Sequence, residues 1–93
     1  MEKDNFNLFD NISLNEYDNY QFYINKQISN IIVKIIEKRL FLKMSQRELA
    51  KKTCIKQPMI ARIEKLESIP RLDTLIKILD ALDLNISIEN NFK

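Results

Sequence analysis

The stretch Met44–Leu66, MSQRELAKKTCIKQPMIARIEKL, decides how this chain folds. Ser45 stands at an N-cap position with Glu48 three residues on. That is the capping box, in which two side chains satisfy amides that a helix start leaves orphaned. Leu49 and Ala50 give the first helix an inward face, and Lys51 and Lys52 fall in its last turn, where cations complement the helix dipole. Thr53 and Cys54 form a brief polar break. In the second helix Pro58 occupies the first turn, where a missing amide costs nothing, and Ile60 and Ile63 point inward by their i, i+3 spacing. So tight a joint prevents the two helices from lying antiparallel, and they must cross at a steep angle.

Two helices joined in this way make a helix-turn-helix, whose second helix can enter a DNA major groove. From about Ile32 to Leu84 the chain resembles the Cro/CI-type (Xre) helix-turn-helix domain. The resemblance is carried by the opening Ser45-Gln46-x-Glu48-Leu49-Ala50, the Gln57-Pro58 start of the second helix, Arg62-Ile63-Glu64 at its end, and the run Pro70-Arg71-Leu72-Asp73-Thr74-Leu75. It implies an all-α, Cro/CI-like helix-turn-helix bundle with a long preceding helix. Arg39 and Glu64 match family positions that form a structural ion pair. Two departures stand out: Cys54 replaces the turn glycine, and Leu66 or Glu67 replaces the glycine after the second helix. A positive φ there costs a non-glycine residue roughly 1 kcal/mol, which the fold is expected to survive.

Ninety-three residues suit one domain with a modest core. One cysteine forbids an internal disulfide and suits a reducing cytoplasm. With no histidine, no structural metal site or cofactor is expected. Lys and Asn interrupt every apolar run, so no membrane span is expected, and the residues after Met1 lack the pattern of a signal peptide. An enzyme is not expected either: there is no histidine base and no glycine for a phosphate loop, and Cys54 has no histidine partner. The net charge of +2 conceals an asymmetry. Residues 1–20 carry one Lys against five acids, residues 21–71 twelve basic against four acidic side chains, and residues 72–93 two against four. A basic block holding the helix pair is the electrostatic footprint of nucleic-acid binding.

Three segments follow. Residues 1–19 form an acidic arm with no single apolar period, which either packs its aromatics on its own domain or docks on a basic partner. Residues 20–83 form the helix-turn-helix domain. From Tyr20 to Leu42, Ile24, Ile28, Ile31, Ile32, Ile35, Ile36 and Leu40 mark a six-turn helical stripe. Ser68-Ile69-Pro70 is a loop, and Leu72–Leu82 a helix with Leu72, Leu75, Ile76, Leu79 and Leu82 inward. Residues 84–93 follow, where Leu84, Ile86 and Ile88 alternate with polar residues as a β-strand does. A lone strand has unpaired edges, resolved by the same strand of a second copy across a two-fold axis or by packing as a terminal tail.

The resemblance places the start of the second helix against base edges. Gln57 can bond adenine N6 and N7 together, Pro58 and Met59 offer apolar groove contacts, and Arg62 can reach guanine O6 and N7. Gln46 would bond a phosphate and brace Gln57, while Arg47, Lys56, Lys65 and Arg71 are phosphate contacts that position without specifying. The layout is most similar to HigA-type antitoxins of type II toxin–antitoxin pairs. That likeness implies a cytoplasmic homodimer that binds a palindromic double-stranded operator and also neutralises a basic RelE/HigB-like ribonuclease toxin. Phe6, Phe9, Asp10, Glu16 and Tyr17 of the acidic arm are the residues expected to meet the toxin. The alternative is a stand-alone Xre-family repressor, phage or restriction-controller type, with no toxin.

Overall fold

A computed structural model describes residues 14–91, with side chains from residue 18 onward. Four helices follow in order: α1 (Leu14–Phe41), α2 (Gln46–Thr53), α3 (Gln57–Glu64) and α4 (Leu72–Ala81). Two compact units divide between Asn30 and Ile31.

In the first unit the helix begins at Leu14, six residues before the apolar period starts, so the acidic arm is not wholly separate from the helix. Ile24 and Ile28 are half-buried, whereas Phe22 (70% exposed) and Tyr23 face outward. Gln21 Nε2 donates to Asn25 Oδ1 at 3.1 Å along the exposed helix face.

The second unit holds the core. Ile32 and Ile35 of α1, Leu49 of α2, Ile60 and Ile63 of α3, and Ile78, Leu79 and Leu82 at α4 are buried together with Ala50. α2 packs against both α3 and α4. Its start carries the reciprocal cap: Glu48 N–H donates to Ser45 Oγ at 3.0 Å and Ser45 N–H to Glu48 Oε1 at 2.7 Å. Its end is closed by Thr53, which is buried rather than a mere polar break. The Thr53 hydroxyl donates to the Leu49 carbonyl at 2.8 Å and accepts from Ile55 N–H at 3.3 Å, which ties the turn to the last turn of α2.

All four helices end on a left-handed residue, and none is glycine: Lys43 (φ 56°), Cys54 (φ 60°), Leu66 (φ 63°) and Asp83 (φ 62°). In each case the next N–H reaches back five residues to an orphan carbonyl. The bonds run Met44 to Arg39 (3.0 Å), Ile55 to Ala50 (3.1 Å), Glu67 to Arg62 (2.8 Å) and Leu84 to Leu79 (2.8 Å). This is the Schellman closure that glycine usually supplies. Each bond satisfies a carbonyl, and each site bears the steric penalty of a Cβ in the left-handed region.

The structure corrects several expectations. Leu40, Leu72 (65% exposed) and Ile76 (50% exposed) do not point into the core, because only one stripe of each helix has a neighbour within this unit. No strand forms among the described residues: 84–91 carry no regular secondary structure, and residues 92–93 lie outside the description. A strand exists only through ladder hydrogen bonds, and no second segment among the described residues offers them. Ile86 and Ile88 are exposed in consequence. Beside them Ile31, Leu72, Leu75, Leu79, Leu84 and Ile86 line an open apolar cleft of about 430 Å³.

Candidate nucleic-acid interface

α3 is short and polar at its start. Its N-cap, Lys56, makes no side-chain cap bond, and Pro58 removes one amide from the first turn. Ile60 and Ile63 anchor the inner face of α3 in the core, which leaves Pro58 and Arg62 exposed and Gln57 and Met59 half-buried. Met59 is thus less open than the burial of its neighbours implies.

Behind this surface lies a continuous side-chain network. Arg39, largely buried, donates from Nε to Glu64 Oε2 at 2.7 Å and from Nη2 to Glu64 Oε1 at 2.9 Å. Its Nη1 donates to the Met44 carbonyl at 2.9 Å, which holds the chain where it enters α2. Glu64 Oε1 also accepts from Gln46 Nε2 at 2.9 Å, and Gln46 Oε1 accepts from Gln57 Nε2 at 2.9 Å. The Arg39 and Glu64 side chains are 10% and 7% exposed, so water does little to screen the pair. The network joins the ends of α1 and α3 to the starts of α2 and α3. Gln46 and Gln57 thereby meet at the rim of a shallow recess of about 490 Å³, also lined by Arg39, Ser45 and Arg47.

Arg47, which lines this recess, and Lys56, Arg62, Lys65 and Arg71 are all exposed. Arg71 has a local partner: its Nη2 lies 3.4 Å from Asp73 Oδ2, with both side chains mostly in solvent. So exposed a pair is weak and leaves the guanidinium available to an anion. Of the acidic-arm residues, Phe6, Phe9 and Asp10 lie outside the described residues, and Glu16 and Tyr17 fall in α1 with side chains outside the description. Among the described residues no cluster of His, Cys, Asp and Glu could hold a metal ion, and no helix is long and apolar enough to cross a membrane.

The bond from Gln46 to Glu64, which turns an ion pair and a glutamine pair into one network, is not legible residue by residue. Its signal in the sequence is faint: three long polar side chains, Arg39, Gln46 and Glu64, at positions where helices meet.

Comparison with known proteins agrees with this geometry. A helix-turn-helix family (HTH_3) matches residues 35–88, more than half of the chain. An uncharacterised HTH-type transcriptional regulator of Haemophilus influenzae is 45% identical over 58 residues, 62% of this chain. The matched stretch spans 59% of that relative's length. No solved structure matches the chain. Both matches agree on a helix-turn-helix domain, and the family match lays it over the second unit's helices.

Proposed function

The chain belongs to the helix-turn-helix family, and from that premise we propose that it is a transcriptional repressor that binds operator DNA through α3. The observation that carries this reading is the presentation of Gln57. It stands at the start of α3, held by Gln46, with exposed Lys56 just before it in the chain and exposed Arg47 lining the same recess. Gln57 reads a base edge, with Pro58 and Met59 against the groove and Arg62 a turn further on. Arg47, Lys56, Lys65 and Arg71 neutralise phosphates, and Gln46 adds a neutral donor to the backbone.

The repressor works as a homodimer. What supports this is the apolar cleft between Ile31, α4 and the segment around Ile86, which leaves Leu72 and Ile76 in solvent in a single chain. A second copy covers those side chains, and its residues 84–88 supply the missing ladder partner. Two α3 helices then face successive major grooves about 34 Å apart. Duplex DNA from upstream of the gene, titrated in a mobility-shift assay with size exclusion beside it, tests the reading. Saturable binding by a dimer is the expected result, and no preference over random duplex would refute it.

A second role, as the antitoxin of a toxin–antitoxin pair, is favoured by one observation. Residues 1–20 carry one basic against five acidic side chains, and exposed Phe22 and Tyr23 follow them on α1. An acidic, aromatic-bearing segment outside the DNA-reading unit suits a basic ribonuclease toxin. Coexpression with the adjacent reading frame tests it: a stable complex that is lost on deleting residues 1–19, with DNA binding intact, is expected. Absence of any complex leaves a stand-alone repressor.

A further inference from the structure

The two ends of a glutamine amide are almost the same shape, and which end faces outward is set by its hydrogen-bond neighbours. We propose that the buried Arg39–Glu64 pair, acting through Gln46, fixes the amide of Gln57 so that it selects adenine over guanine. This rests on the proposed reading of α3 as the base-reading helix.

The polarity runs in one direction. A guanidinium only donates, and Arg39 pins both oxygens of Glu64. A carboxylate only accepts, so Gln46 must meet Glu64 with its Nε2. The Oε1 of Gln46 then faces the other way and takes the Nε2 of Gln57. Gln57 is left with its Oε1 and one amide hydrogen, neither bonded among the described residues. One acceptor beside one donor complements the N6 donor and N7 acceptor of adenine. Guanine presents two acceptors, O6 and N7, and would set a lone pair against Gln57 Oε1. A reversed amide would offer two donors and favour guanine. Glu64, a positioning residue that is itself almost wholly buried, thus sets the amide direction before DNA arrives, and a phosphate against Gln46, which also only accepts, keeps it.

The test uses the full chain and duplex DNA. Selection from randomised duplexes gives the preferred site, and each adenine in it is then replaced by guanine. In the wild type one adenine per half-site should be preferred over guanine by roughly tenfold or more, and that preference should vanish in Gln57→Ala. Gln46→Lys is the decisive variant, since an ammonium donates both to Glu64 and to Gln57. It forces Gln57 to turn its oxygen inward, and the preference at that one base pair should move to guanine. Gln46→Leu breaks the relay, so discrimination there should fall several-fold while other positions keep theirs. Gln46 is half-exposed, so neither variant disturbs the core, and circular dichroism checks folding. If both variants keep the full adenine preference and change only overall affinity, the relay is refuted and the reading of α3 stands. If Gln57→Ala alters no position, or the wild type shows no sequence preference, both fall.

Discussion

Deleting the carboxylate of Glu64 should be among the most damaging single changes in this protein, and deleting its partner as well should undo most of the damage. Glu64 accepts three hydrogen bonds, from Arg39 Nε, Arg39 Nη2 and Gln46 Nε2. In Glu64→Leu the Arg39 guanidinium stays buried with only the Met44 carbonyl as partner. An uncompensated buried charge of that kind costs about 3–5 kcal/mol. A domain of this length has roughly 5–14 kcal/mol in total, at about 0.05–0.15 kcal/mol per residue. The single variant therefore loses a large part of its stability. Arg39→Met/Glu64→Leu removes both charges and fills the space with apolar atoms, and such replacements are neutral or stabilising by about 1–4 kcal/mol. Urea unfolding followed by circular dichroism, read as a double-mutant cycle at constant m, measures both values. With m near 1 kcal/mol/M the single variant's midpoint should fall by about 3–5 M. A loss under about 1 kcal/mol in the single variant would mean that solvent screens the pair. A double variant as unstable as the single would mean that the damage comes from packing rather than charge.

Three further expectations follow from the same geometry. Leu66→Gly and Cys54→Gly relieve a left-handed Cβ at exposed positions, and each should stabilise the fold by about 0.5 kcal/mol after the unfolded-state entropy of glycine is deducted. At about 4–8 °C per kcal/mol, differential scanning calorimetry should register each as a rise in Tm of a few degrees, and a fall would show that side-chain packing outweighs backbone strain. Lys56→Ala should weaken all DNA sequences about equally and reduce the slope of log K against log salt by about 1, whereas a change in sequence preference would place Lys56 on a base. Ile86→Asp puts a charge in the apolar cleft and should convert dimer to monomer in sedimentation velocity without unfolding the helices; an unchanged mass would move the interface elsewhere.

Features that depend on a few adjacent residues could be read from the chain alone. The Ser45–Glu48 box and Pro58 in the first turn of α3 arise from local chemistry, whereas a left-handed backbone at Cys54, and at Leu66 or Glu67, is marked only by the family's glycines; the structure places the second at Leu66. The left-handed ends at Lys43 and Asp83 carry no such mark. Nor is the start of α1 at Leu14 marked, since the apolar residues before Tyr20 share no period.

What depended on neighbours distant in sequence could not be read that way. Helical spacing says that Leu72, Ile76 and Leu79 share a side of α4, but only packing decides that Leu79 is covered and Leu72 is not. Period-two alternation says that Ile86 and Ile88 share a face, but a strand needs a second backbone to bond. Motif matching paired Arg39 with Glu64, across 25 residues, yet the direction of the amides beyond them is a tertiary fact. It follows from which oxygen and which nitrogen the fold brings within 2.9 Å at Gln46 and Gln57. Local chemistry set where the helices begin and end, whereas the fold aimed the hydrogen bonds, because donor and acceptor meet only after residues far apart in the chain are packed together.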